Sequence, residues 1–289
     1  MRTLVFGGTG MLGRAVAREG RKRGWAILAL SREEADVRDP TALLRAAAAF
    51  RPEAIVNCAA WTRVDDCEGD PDRAFAVNGE AVGHLAAAAR AAGAQLLQVS
   101  TDYVFDGRAE EPYSEAAPDS QLAPLSVYGK SKLLGEERAR AYAASLVVRT
   151  SWLFGPDGPN FARTIVDLLD QGRRPLQVVG DQRGCPTYTP FLAAALLDLA
   201  ARRVRGVIHY RNREAVSWHG FAGEIARQWG SAAEIREVTT AEFPRPAQRP
   251  AWSVLDVTRC ERALGRRVEP WIWGLAEYLM ALHREKGRL

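Results

Sequence analysis

The chain has 289 residues, 47% of them hydrophobic and 26% charged, with a formal net charge of +4. That length supports one large domain or two small ones with no disulfide staples. The basic residues are scattered (Arg21–Arg23, Arg202–Arg205, Arg262–Arg267), and no apolar run reaches the ~18 residues of a membrane span, so neither a nucleic-acid track nor a membrane partner is expected. Cys58, Cys67, Cys185 and Cys260 lack C-x-x-C spacing and read as reduced packing residues, with Cys58 inside a buried strand. The four histidines lie far apart in sequence, so no metal site is expected.

Met1 leads straight into a strand, Thr3–Phe6, which points to a cytoplasmic protein without a leader. The strand runs into Gly7-Gly8-Thr9-Gly10-Met11-Leu12-Gly13, and residues 11–23 then read as a helix. Ala26–Leu30 is a second strand. Asp39-Pro40 opens the next helix with a capping aspartate and a proline at its first position. Ala54–Cys58 is a third strand, and an Ala-rich helix is expected from Pro71 to Ala92, stopping near Gly93. Leu96–Ser100 is a fourth strand, residues 127–142 form a helix, and Leu146–Arg149 is a fifth strand.

Continuous apolar strands alternating with helices imply an α/β, Rossmann-type, doubly wound parallel sheet covered on both faces. Ligands of such sheets bind at the carboxyl ends of the strands. After residue 155 the pattern loosens. Residues 1–155 therefore read as a cofactor-binding domain and 156–289 as a smaller substrate-binding region, with a soft boundary. The short strand Val207–Tyr210 falls in the second part.

The Gly7–Gly13 turn satisfies G-x-G-x-x-G between a first strand and a helix. Glycines there permit a sharp turn and close approach to a pyrophosphate, and the helix start offers free N–H groups. Where an acid would bind the ribose 2′-hydroxyl of NAD, this chain has Ser31-Arg32, which favours the 2′-phosphate of NADPH, with NADH still possible. Glu33 and Glu34 oppose that preference. Tyr128-x-x-x-Lys132 places a phenol and an ammonium on one helix face. A nearby lysine stabilises the phenolate, and the phenol can protonate a nascent alkoxide. Ser100-Thr101 puts a hydroxyl at the end of the fourth strand, where it can bind a ketone oxygen.

Glycine turn, strand-end hydroxyl and Tyr-x-x-x-Lys helix, in that order, resemble the extended short-chain dehydrogenase/reductase family. The likeness extends through residues 56–62, 100–107, 127–132, 149–155 and 181–187, then Ser217-Trp218, Arg249-Pro250 and Leu255-Asp256. It implies reduction, by NADPH, of a ketone on a dTDP-linked deoxysugar. By the same resemblance Tyr128 is the proton donor, Lys132 holds the nicotinamide ribose and Thr101 assists at the carbonyl. Gly7, Gly10, Met11, Leu12 and Gly13 lie under the pyrophosphate, Ser31, Arg32, Asp36 and Val37 near the adenosine, and Ala59, Ala60 and Trp61 along the cofactor. Thr101, Asp102 and Trp152 contact the sugar nucleotide, while Gln182, Arg183 and Arg249 are candidates for its anionic part. Trp61 departs from the smaller residue usual in the family. An epimerase or dehydratase of the superfamily, and a non-catalytic regulatory subunit on the same fold, stand as alternatives. The sequence leaves the oligomeric state open.

Overall fold

The computed structural model describes residues 1–288. Strands β1 (Arg2–Phe6), β2 (Ala26–Leu30), β3 (Ala54–Asn57), β4 (Gln95–Thr101) and β5 (Ser145–Thr150), with an edge strand Gly206–His209, form one sheet. Every pairing in it is parallel. The spatial order is edge strand–β5–β4–β3–β1–β2. The chain therefore leaves β1 to one side and later returns to its other side, creating a switch point between β1 and β3, where ligands of such sheets bind. Register brings Phe6 level with Asn57 and Leu30, and Thr101 level with Thr150, so the strand ends form one rim.

Both faces of the sheet are dry. Val5, Val56, Leu97 and Val148 pack under α1 (Met11–Lys22) and the helix Thr189–Ala201. Leu4, Ile55, Leu96 and Val147 pack under α2 (Pro40–Phe50) and the helices Ala81–Ala92 and Val127–Arg140. Fully burying each such side chain contributes about 1.5–3 kcal/mol, which explains why these strands are apolar throughout and do not alternate. Asp39 caps α2 by accepting from the Thr41 and Ala42 amides at 2.9 and 3.2 Å. A third core gathers Phe154, Ile165, Tyr188, Phe221, Trp271 and Tyr278 from the second half.

One strand beyond the soft boundary joins the main sheet: Gly206–His209 pairs with Leu146–Arg149, because its Ile208 completes the core against Leu192 and Leu196. Two local readings are corrected. The helix expected over residues 71–92 is interrupted by a π-helical turn, Ala76–Glu80, whose Asn78 side chain bonds outside the helix. Cys58 lies one residue beyond β3 and is only partly buried, because the chain has already turned into the cleft. Among the described residues no helix is long and apolar enough to cross a membrane.

Candidate active site

The glycine turn is built for close approach. Gly7 has φ +73°, and a Cβ on it would sit 2.6 Å from the Ala59 amide nitrogen. A Cβ on Gly13 would collide with the Gly7 carbonyl, so this glycine lets α1 pack onto the turn. Gly10 starts α1 with no side-chain cap. The first-turn N–H groups therefore keep their donors for an anion, and the turn fits the pyrophosphate of a dinucleotide.

A cleft of about 260 Å³ extends from this turn, lined by Gly7, Gly10, Asp36, Val37, Ala59–Trp61 and Arg73. Arg32 and Arg38 stand at the same cleft. Arg38 makes bonds of 2.6–3.1 Å to the Asp36 carboxylate and Arg32 approaches it at 3.4 Å. Arg38 above all, against a modest burial cost, holds the Asp36 carboxyl well below the usual carboxylate range. Ser31 is engaged locally, its amide donating to Glu34 at 2.7 Å. Trp61 carries the Arg73 guanidinium 4.5 Å above its ring, and Asn78 fixes its backbone through both N–H and C=O, at 2.8 and 3.1 Å. The π-turn thus turns a buried asparagine into a clamp on the cofactor-side loop.

A second cleft, about 360 Å³, continues past Met11 and Leu12 to Thr101, Tyr128, Lys132 and Trp152. Ser126 caps the helix Val127–Arg140 by accepting from the Gly129 amide at 3.2 Å, which sets the turn presenting Tyr128. Gly129 is required there, since a Cβ would strike the Tyr103 carbonyl. Tyr128 and Lys132 are 9% and 3% exposed. Lys132 Nζ donates to the Val99 carbonyl at 2.7 Å. Burial pulls its ammonium down to about 8, with Glu136 opposing. Burial raises the Tyr128 phenol above its ordinary range, the Thr101 hydroxyl pulling against it.

Thr101 Oγ1 donates to Asp102 Oδ1 at 3.0 Å, while the other Asp102 oxygen is buried without a partner. Burial pushes this carboxyl up to about 7. The Trp152 ring stacks on Trp218, centroids 3.5 Å apart. Trp152 adopts φ +46°, a strained setting costing about 1–3 kcal/mol, and Gly184 leaves room for its ring.

A third cavity, about 610 Å³, adjoins at Trp218 and is lined by Phe161, Gln182, Phe243, Arg245 and Arg249. Arg249 grips Asp65 through two bonds of 3.0 Å, and Arg245 lies 3.8 Å from the same carboxylate. Gln182 donates to Thr240 at 2.9 Å. Arg183 is exposed and lines none of these cavities; its backbone is committed to Ala251 and Ser253. Sequence reasoning gave no site role to Arg38, Asp65, Asn78, Trp218 or Arg245. An asparagine in an Ala-rich helix was a usable signal for Asn78, and Trp218 stood out only within the family likeness; nothing local marks Asp65 or Arg245.

A family model described as the RmlD substrate binding domain matches residues 1–284. A dTDP-4-dehydrorhamnose reductase of Streptomyces griseus is 41% identical over 99% of this chain and 96% of its own length. The crystal structure of a dTDP-4-dehydrorhamnose reductase from Clostridium acetobutylicum superposes with TM-score 0.92 at 36% identity, covering 98% of this chain and all of that one. A Bacillus anthracis dTDP-4-dehydrorhamnose reductase, solved in complex with NADP, gives TM-score 0.92 at 32% identity over 97% and 99% of the two chains.

Proposed function

The chain belongs to the RmlD substrate binding domain family, and from that membership we propose that it reduces dTDP-4-dehydrorhamnose to dTDP-rhamnose in the cytoplasm, as part of dTDP-rhamnose biosynthesis. Bound NADPH supplies the hydride to the C4 carbonyl carbon. Tyr128 gives its proton to the carbonyl oxygen as the C–O double bond becomes a secondary alcohol. The raised phenol keeps that proton available at neutral pH. Lys132, charged and buried, stabilises the phenolate left behind and holds the nicotinamide ribose. The Thr101 hydroxyl, donated to Asp102 in this structure, is the group placed to orient the ketone oxygen. Gly10, Met11 and Leu12 face the pyrophosphate, and Arg32 with Arg38 meets the 2′-phosphate.

Residues 1–155, with the helix Thr189–Ala201 and strand Gly206–His209, form the cofactor-binding unit in this reading, and the remaining residues of 156–289 the substrate side. The nucleotide lies in the third cavity, with Trp218 and Phe243 as stacking surfaces and Arg245 and Arg249 as partners for its phosphates. The observation that carries the proposal is the convergence of Thr101, Tyr128 and Lys132 at the floor of the cleft that begins at the uncapped glycine turn. The test is turnover of dTDP-4-dehydrorhamnose by the Tyr128→Phe and Lys132→Met variants at saturating NADPH. Loss of turnover with cofactor binding retained in Tyr128→Phe supports the assignment; wild-type rates in both variants reject it.

A further inference from the structure

The helix carrying Tyr128 and Lys132 presents a third buried polar group one turn further on, Glu136, which is 1% exposed. Its carboxylate accepts from Arg149 Nε at 2.9 and 3.1 Å, from Arg149 Nη2 at 2.7 Å, and from the Ser100 hydroxyl at 2.5 Å. Arg149, on β5, is itself 2% exposed, and its guanidinium sits 5.0 Å from the centroid of the Phe105 ring. Its Nη1 lies 3.3 Å from His209 Nε2, and His209 Nδ1 lies 3.1 Å from the Tyr113 carbonyl. That arrangement puts the histidine proton on Nδ1 and leaves Nε2 to accept from the arginine. The network is bonded throughout, and both oxygens of the buried Glu136 carboxylate have partners.

Lys132 is different. Its one hydrogen bond goes to a backbone carbonyl, and no described carboxylate lies within ion-pair distance of it. We infer that Glu136 is a positioning residue for the reduction: clamped by Arg149 and Ser100, it supplies the negative field that keeps Lys132 charged without occupying the lysine's remaining N–H groups. A carboxylate bonded directly to Lys132 would hold the charge but block its donors. A carboxylate one turn away, fixed by another cation, does the first without the second.

The groups around Lys132 support this division. On its own helix stand Tyr128 and Glu136, and beyond β3 stands Cys58. At the end of β4 stands Asp102, whose field acts on Tyr128. Arg149 on β5 bonds Glu136 and touches His209 on the edge strand, which burial and Arg149 keep neutral. Against the burial that draws the ammonium down to about 8, Glu136 is the leading opposing influence.

The inference rests on Tyr128 and Lys132 being the reducing pair. It predicts that kcat at saturating NADPH falls on the alkaline side as Lys132 loses its proton. Glu136→Gln leaves Arg149 buried without an anion and risks the fold, so the deciding variant is the double substitution Glu136→Gln/Arg149→Met, which removes both charges. Its alkaline limb is expected at lower pH by less than about one pH unit, the scale of one lost charge neighbour, because the opposing Arg149 charge is lost with it, with Glu136→Asp keeping the wild-type limb. The chain has four lysines, so NMR titration of carbon-labelled lysine side chains reads the same shift directly. An unchanged limb and lysine titration in the folded double variant overturn the inference. Full turnover in Lys132→Met overturns the underlying reading instead.

Discussion

Individual side chains carry the chemistry, and two of them give separable predictions. In the proposed reduction Tyr128 contributes one transferable proton. Tyr128→Phe keeps the buried ring and its edge-to-face contact with Tyr103, so the fold and NADPH affinity should survive while kcat falls by about 10²–10⁴-fold, the usual range for general acid catalysis. Steady-state rates beside a cofactor-binding titration check this. Asp102 makes a stability prediction. Its carboxyl titrates at about 7 when folded and 3.8 ordinarily. Between those values the folded protein holds a proton that the unfolded chain has released. Stability from this group is thus full below the lower value and is lost as pH rises through the upper one. Asp102→Asn removes that slope, so its Tm should gain on the wild type between about pH 5 and about pH 8. Parallel melting curves at both ends decide it; a constant difference would mean that the carboxyl is not displaced by burial.

At the scale of elements, we propose that the turn after β2 sets the preference between nicotinamide cofactors. Arg32 and Arg38 share Asp36 in this structure, and a 2′-phosphate offers both arginines a better anion. Arg32→Ala and Arg38→Ala should each raise KM for NADPH by about tenfold, a charge-assisted bond being worth about 1.5–3 kcal/mol, with far less effect on NADH. Equal effects on both cofactors would remove these arginines from cofactor recognition. The elements themselves were largely legible. The Asp39-Pro40 cap, the glycine turn and the Tyr128–Lys132 spacing are local signals, and each falls on the expected element: the start of α2, the link from β1 to α1, and one helix. What escaped depends on partners distant in sequence. Asn78 distorts a helix in order to hold Trp61, 17 residues away. Gly206–His209 is a main-sheet strand only because β5 presents an unpaired edge. Arg38 escaped for another reason, since its partner Asp36 is only two residues away but the sequence does not show the turn folding them together, and Arg183 loses importance because its side chain faces solvent.

On the scale of the whole molecule, three adjoining cavities run from the glycine turn, past Tyr128, to Arg245 and Arg249. A Tyr–Lys pair does not distinguish what carries the ketone, so in the proposed function selection comes from the far cavity. Binding energy from a nucleotide held there positions the sugar for reaction. In the proposed placement the Arg249–Asp65 pair yields part of its bonding to a diphosphate, so dTDP should compete with the sugar nucleotide and not with NADPH. Product-inhibition patterns read this, and competition against NADPH would place dTDP in the cofactor cleft. The central claim is that this chain reduces a nucleotide-linked ketone. Its most direct test is NADPH consumption measured with dTDP-4-dehydrorhamnose and with the same 4-keto-sugar lacking dTDP. The account predicts one NADPH oxidised per dTDP-rhamnose formed and very slow turnover of the free sugar even at high concentration; equal efficiency on both, or no NADPH oxidation with the dTDP-linked ketone, would contradict it.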